Sequence, residues 1–137
     1  MGVTVLDTSV LIAMVDASDT HHVAARAAVR SARDAGDEFV VPVAAYAEFM
    51  VRSYQEDDVS MIAFRDGLFD AIPARVEPAT RETGRQAAAI RARHGQRVKL
   101  PDALIIATAI VVAADRILTA DARWPAQDVP VIVLEAT

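Results

Sequence analysis

The sequence contains no cysteine, and this absence excludes two classes of protein. Neither a disulfide framework nor a metal site built on thiolates can form. A long hydrophobic run is also missing, because a helix that spans a bilayer needs ~20 apolar residues, whereas the longest apolar run here covers only residues 103–114. No basic leader precedes the first strand pattern. We therefore expect a cytoplasmic protein that is not inserted in a membrane.

An excess of positive charge is absent as well. The net charge of −5 and a pI near 5.1 do not favour binding to nucleic acid, since phosphate contacts need basic surfaces. The basic residues are nevertheless concentrated in residues 81–99, directly before Asp102. Such a stretch is either a solvated helix face or a substrate-binding surface. The candidate substrate-binding residues within it are Arg91, Arg93, Arg97 and Lys99.

The remaining composition indicates a single globular domain over residues 1–137, because 53% of the chain is apolar and 24% is charged. Short β-rich runs alternate with longer segments of helical spacing. The predicted strands cover residues 3–6, 39–41, 75–77, 116–119 and 129–134. The predicted helices cover residues 8–15 (capped by Thr8 or Ser9), 21–35, 43–55, 59–71, 80–95 and 101–114. This alternation predicts an α/β fold with helices on both faces of a parallel sheet.

Two aspartates follow predicted strands. Asp7 comes directly after residues 3–6, and Asp121 lies two residues past residues 116–119. Ligands of open parallel sheets bind beyond the carboxyl ends of the strands, so both side chains are candidates for a site at that edge. The structural alternatives are a helix-start residue for Asp7, although Thr8 or Ser9 can cap that helix, and a turn residue for Asp121. Asp115 is close enough in sequence to take the place of Asp121.

Two further carboxylates occur in apolar surroundings. Asp102 opens the most apolar helix and lies on the same face as Ile105 and Ile106, although a carboxylate in a first helical turn also stabilises the helix dipole. Glu48 is the only charged residue between positions 39 and 51. Its burial would be costly without a partner. The alternative is an exposed pair with Arg52, four residues later.

If these carboxylates meet, they cannot all stay ionised without compensation, because like charges and burial both raise a carboxylate pKa. A cation is one way to compensate. A site made only of oxygen ligands suits hard ions such as Mg²⁺ or Mn²⁺. Such ions can activate water and stabilise a departing oxygen in phosphodiester cleavage.

These residues and their surroundings resemble the PIN-domain ribonucleases, and in particular the VapC-like toxins of bacterial toxin–antitoxin pairs. The matching segments extend in order along the whole chain. They are Val-Leu-Asp7-Thr-Ser, Ala-Glu48-Phe, Leu-Pro-Asp102-Ala-Leu-Ile-Ile-Ala-Thr-Ala and Ile-Leu-Thr119-Ala-Asp121-Ala-Arg-Trp.

The resemblance implies a PIN-like three-layer fold, with a central five-stranded parallel sheet flanked by helices. It implies that Asp7, Glu48, Asp102 and Asp121 form the catalytic, metal-binding set for Mg²⁺ or Mn²⁺. Thr8 and Thr119 match hydroxyl positions that orient such carboxylates. The implied activity is endonucleolytic cleavage of single-stranded RNA, with a cognate antitoxin and a second copy of the chain as protein partners.

Two other classes of protein remain as alternatives. A phosphoryl-transfer domain also has an aspartate after its first strand, but the phosphatase pattern needs a second aspartate where this chain has Ser9. The receiver pattern needs a late lysine after a strand, which this chain lacks. The other alternative is a non-catalytic α/β interaction module, because a fold does not determine a function.

Overall fold

The computed structural model describes all residues from Met1 to Thr137 and contains a single five-stranded sheet. The strands are β1 (Val3–Leu6), β2 (Glu38–Pro42), β3 (Ala74–Glu77), β4 (Arg116–Thr119) and β5 (Val131–Val133). The helices are α1 (Thr8–Val15), α2 (His22–Asp34), α3 (Val43–Gln55), α4 (Val59–Ala71), α5 (Arg81–His94) and α6 (Leu100–Val111), and a short 3-10 turn (Gly95–Arg97) precedes α6. Every strand pair is parallel, which confirms the predicted α/β class.

The three central strands are almost completely buried. Val5 and Leu6 of β1, Val40 of β2 and Ile117 of β4 have no exposed surface. Continuous runs of such residues are expected where helices cover both faces of a parallel sheet. α6 contributes to the same hydrophobic core through Ile105 and its neighbours, and none of the helices combines the length and apolarity that crossing a bilayer requires.

Local capping explains several helix boundaries. Thr80 begins α5 with a capping box, in which the Thr80 and Thr83 side chains each bond to the other residue's backbone N–H. Asp58 caps α4 by accepting a hydrogen bond from the N–H of Met61 (3.0 Å). The predicted cap of α1 was wrong, because Thr8 and Ser9 lie inside the helix and Asp7 occupies the cap position without making a capping hydrogen bond. The side chain of Asp7 is therefore free for other contacts.

The strand order β3-β2-β1-β4-β5 determines where a ligand can bind. From β1 the chain builds outward through β2 and β3, and it then crosses to the other side of β1 to form β4 and β5. The order thus reverses between β1 and β4. In open α/β sheets the binding crevice lies at this switch point, beyond the carboxyl ends of the strands. The segments that follow β1 and β4 are those that carry Asp7 and Asp121.

Candidate active site

Asp7 directly follows β1 at this switch point and is only 4% exposed. Its Oδ2 atom accepts hydrogen bonds from the hydroxyls of Ser9 (2.7 Å) and Thr119 (2.8 Å). Burial raises the pKa of Asp7, and these two hydroxyls oppose the rise by stabilising the charged form. The Ser9 oxygen also accepts a hydrogen bond from the N–H of Ala120 (2.9 Å), so it joins the ends of β1 and β4.

The backbone of Asp121 belongs to the same hydrogen-bond network as Asp7, but the Asp121 carboxylate is bonded to Arg123. Its backbone N–H donates to the hydroxyl of Thr119 (3.0 Å). Its carboxylate accepts from Nε (3.0 Å) and Nη2 (3.1 Å) of Arg123, and from the Arg123 backbone N–H (2.9 Å). The hydrogen bonds from Arg123 lower the pKa of Asp121, which therefore stays ionised.

Glu48 reaches the crevice from α3. The hydroxyl of Thr8 donates to its Oε1 atom (3.2 Å). The alternative pairing with Arg52 does not occur, because Arg52 bonds to Glu56 (3.0 Å). The residue as a whole is exposed, yet burial of the carboxylate and then the charge of Asp7 raise its pKa. The charge of Asp7 therefore acts on Glu48 and places the two carboxylates in one electrostatic environment.

Asp102 completes the set from the first turn of α6. Burial raises its pKa to about 6, with further increases from the charges of Asp7, Glu48 and Asp121. Asp102 is thus close enough to each of the other three carboxylates to be influenced by its charge. The indole of Trp124 opposes the rise by donating toward Asp102, although its buried Nε1 has no partner at full hydrogen-bond geometry. We interpret this as a weak contact.

The four carboxylates are suitable ligands for a hard cation, but their side chains are not yet arranged in coordination geometry. No three His, Asp or Glu side chains are arranged so that they could hold a metal ion as they stand. The available ligands are carboxylate oxygens, and three of the four have raised pKa values that a nearby cation would lower. Magnesium usually binds only one or two protein carboxylates and keeps several waters, so a loosely gathered set is compatible with it.

Comparison with known proteins identifies the fold family. The sequence model of the PIN domain matches residues 4–130. This chain belongs to the PIN domain family. No curated protein sequence gives a significant match to it.

Solved structures resemble this PIN domain closely in fold but distantly in sequence. A toxin–antitoxin complex from Klebsiella pneumoniae has a TM-score of 0.74 at 18% identity, covering 98% of this chain and 99% of the other. VapBC2 from Rickettsia felis, bound to a DNA fragment from its promoter, has a TM-score of 0.77 at 12% identity, with 97% and 99% coverage. VapC20 from Mycobacterium tuberculosis, a toxin that cleaves the sarcin-ricin loop, has a TM-score of 0.68 at 18% identity, with 83% and 86% coverage.

The four candidate substrate-binding residues of this PIN domain divide into two groups by their position. Arg97 and Lys99 line a cavity of about 310 Å³ together with Asp102 and Asp121. Arg91 and Arg93 lie on α5 and do not line that cavity. Spacing along the chain could not separate these groups, because the 3-10 turn after α5 directs only the later residues toward the carboxylates.

Asp115 is excluded as a substitute for Asp121 in this PIN domain. It precedes β4, and its Oδ2 atom accepts a hydrogen bond from the N–H of Val3 (2.7 Å) at the start of β1. The amino ends of the strands form the opposite edge of the sheet from the crevice. The Asp115 carboxylate therefore stabilises the amino ends of β1 and β4, and it does not contact the four carboxylates of the candidate site.

The sequence interpretation did not identify three residues that contact the carboxylates. The sequence pattern indicates Ser9 only as a helix cap, whereas in the structure its hydroxyl donates a hydrogen bond to Asp7. Arg123 bonds to Asp121, and Trp124 approaches Asp102. The signal for Arg123 was its spacing of two residues from Asp121, which allows an Asx-type contact in a turn. The sequence contains no comparable signal for Trp124.

Proposed function

We propose that this PIN domain is a metal-dependent endoribonuclease that cleaves single-stranded RNA and acts as the toxin of a toxin–antitoxin pair. The observation that carries the proposal is the convergence of Asp7, Glu48 and Asp102 at the switch point of the sheet, where the pKa of each is raised by burial. Three carboxylates in such surroundings favour a cation. The toxin and antitoxin components of the solved PIN-fold relatives support the biological role.

Asp7, Asp102, Glu48 and Asp121 would hold Mg²⁺ or Mn²⁺. Asp7 is the most buried of these residues, and its Oδ2 atom accepts hydrogen bonds from two hydroxyls. Thr8 orients Glu48, and Thr119 orients both Asp7 and the backbone of Asp121. When bound, the ion would supply an activated water and stabilise the leaving oxygen of the phosphodiester.

The substrate would approach along the cavity beside Asp102 and Asp121. Arg97 and Lys99 line that cavity and would contact RNA phosphates. These local charges matter more than the net charge of −5, because the field at a cleft depends on the groups that line it. Arg91 and Arg93, which lie along α5, would contact a longer substrate.

The protein partners would be a cognate antitoxin and a second copy of the chain in the cytoplasm. Large apolar side chains remain exposed on α3 and α4, namely Val51, Tyr54, Val59 and Phe64. Exposed apolar surface of this kind supports protein association. Light scattering of the purified protein measures its oligomeric state, and a monomer at all concentrations would exclude the homodimer.

The activity is tested with a stem-loop RNA in the presence of Mg²⁺ or Mn²⁺. We expect the wild-type protein to cut the single-stranded loop and EDTA to stop cleavage. Asp7→Asn should reduce the cleavage rate at least about a hundredfold with an unchanged circular dichroism spectrum, because the substitution removes the ligand charge without changing side-chain size.

A matched control is Asp34→Asn, which makes the same chemical change at the exposed end of α2. This variant should cleave at the wild-type rate. Cleavage by Asp7→Asn at that same rate would remove the enzyme proposal. A protein that neither cleaves RNA nor binds Mn²⁺ would instead support the non-catalytic interaction module.

A further inference from the structure

Arg123 already supplies a positive charge to one of the four carboxylates. Its guanidinium donates two hydrogen bonds, one to each oxygen of Asp121, at 3.0 and 3.1 Å. Its side chain is 90% exposed, compared with 22% for Asp121. The arginine is therefore held by this contact and by little else.

The contact divides the carboxylates into two groups. Asp7, Glu48 and Asp102 form no ion pair with a basic side chain, and the side-chain hydrogen bonds to Asp7 and Glu48 come from neutral hydroxyls. Asp121 is instead paired with a cation on its own loop. A divalent ion that binds Asp121 has to compete with the guanidinium, because Arg123 donates a hydrogen bond to each oxygen of that carboxylate.

The position of Arg123 indicates where the side chain would go after it leaves Asp121. Arg123 lines the cavity of about 310 Å³ that also contains Arg97, Lys99 and Trp124. It also borders a second cavity, of about 540 Å³, together with Ser9 and Asp121. A guanidinium presents its donors in a planar fork that matches phosphate oxygens as well as carboxylate oxygens.

We propose that Arg123 is an exchangeable counter-ion of Asp121, which releases this carboxylate to a divalent metal and then binds a phosphate of single-stranded RNA beside Arg97 and Lys99. The competition between Arg123 and a metal ion for Asp121 does not depend on the ribonuclease function. The binding of Arg123 to an RNA phosphate rests on that proposed function. Metal binding and RNA binding are then positively coupled through one side chain.

The first test measures the affinity of the metal-free protein for Mn²⁺ by isothermal titration calorimetry, without RNA. Arg123→Gln should bind Mn²⁺ about threefold more tightly than the wild type, because the competing charge is gone. Arg123→Lys should lie between them, since lysine keeps the charge but not the paired geometry. The control is Arg85→Gln, which breaks an exposed arginine–glutamate pair on α5 and should leave the affinity unchanged.

Equal or weaker Mn²⁺ binding by Arg123→Gln, in a variant with the wild-type circular dichroism spectrum, would overturn the competition. If the variant does not fold, Arg123→Lys alone decides the question. Its affinity must then exceed that of the wild type.

The second test measures binding of a fluorescein-labelled single-stranded RNA oligonucleotide by stopped-flow fluorescence anisotropy, in the interval before cleavage, with and without Mn²⁺. Arg123→Gln should weaken binding about fivefold with Mn²⁺ and reduce the salt slope by about 0.7, which is the value for one lost phosphate contact on a single strand. Without Mn²⁺ the loss should be less than about twofold, because Arg123 then remains on Asp121.

An equal loss of RNA affinity with and without Mn²⁺ would contradict the exchange. The two proposals fail separately in these experiments. If RNA is not cleaved but Arg123→Gln binds Mn²⁺ more tightly, the ribonuclease function is wrong and the metal competition stands. If Asp7→Asn abolishes cleavage while Arg123→Gln has unchanged Mn²⁺ affinity, only the exchange is wrong.

Discussion

Among single residues, Thr119 connects the buried Asp7 carboxylate to the backbone of Asp121. Its hydroxyl donates to Asp7 and accepts from the backbone of Asp121, and the residue has no exposed surface. Thr119→Val keeps the shape and removes both bonds. We expect it to lower the free energy of unfolding by about 2 kcal/mol, measured by urea denaturation, because a buried charged acceptor loses a donor.

Thr108→Val is the matched control for this prediction. Thr108 is also buried, at 3% exposure, but its hydroxyl donates to the carbonyl of Leu104 one turn earlier in α6. Such back-bonding adds little to a helix whose carbonyls already have backbone partners, so the loss should be about 0.5 kcal/mol or less. Similar losses for both variants would indicate that Asp7 does not need the Thr119 hydroxyl.

The sequence predicted the positions of Asp7 and Asp121 because each follows a strand whose end can be recognised from its apolar residues. It could not predict the partners of these carboxylates. Ser9 has the same neighbours in sequence whether it caps α1 or bonds to Asp7, and only the backbone position of Asp7 at the helix start decides between them. Residue types limit the chemistry, but the direction of each side chain depends on tertiary structure.

At the scale of elements, α5 depends on the capping box at its start. The Thr80 hydroxyl accepts from the N–H of Thr83 (3.4 Å), and the Thr80 N–H donates to the Thr83 hydroxyl (3.0 Å). Thr80→Ala should lower the free energy of unfolding by about 1 kcal/mol in urea denaturation. Thr80→Ser keeps the hydroxyl and should lose less than half of this. Mn²⁺ affinity should stay unchanged in both, since Thr80 does not contact the carboxylates.

Most helix and strand boundaries were predictable because glycine, proline and capping residues mark them. The fourth helix matches residues 59–71 at both ends. The last strand covers Val131–Val133 and is therefore shorter than the predicted range of 129–134. Backbone hydrogen bonds to β4 nevertheless involve Pro130 and Leu134 on either side of it. An edge strand pairs on one side only, which makes its ends the hardest to define.

The direction of α3 was not predictable, and the place of Glu48 depends on it. Glu48 lies only about 9 Å along the helix from Pro42, at 1.5 Å per residue. Periodicity does not show whether the helix runs in a direction that brings Glu48 to the carboxyl ends of β1 and β4. Contacts of α3 with α1 and α6 fix this direction. Helix packing thus brings together carboxylates from distant parts of the sequence.

For the whole molecule, the carboxylate set makes stability depend on pH. The pKa of Asp102 is about 6 in the folded protein, compared with 3.8 for the free side chain. A carboxyl group whose pKa rises on folding stabilises the protein fully below the unfolded pKa, and this contribution is lost as the pH rises through the folded pKa. In the metal-free protein it should therefore decline between about pH 4 and pH 7.

Asp102→Asn removes this titration. Without metal at pH 7.5, the variant should be more stable than the wild type by about 1 kcal/mol, a value reduced from the full pKa shift because Asp102 is partly exposed to solvent. The difference should disappear at pH 4, and Mg²⁺ should restore the wild type at pH 7.5 by binding only the folded state. Thermal melts at both pH values measure these effects. Lower stability of Asp102→Asn at pH 7.5 would mean that Asp102 mainly stabilises the first turn of α6, and that repulsion among the carboxylates is too weak to require a cation.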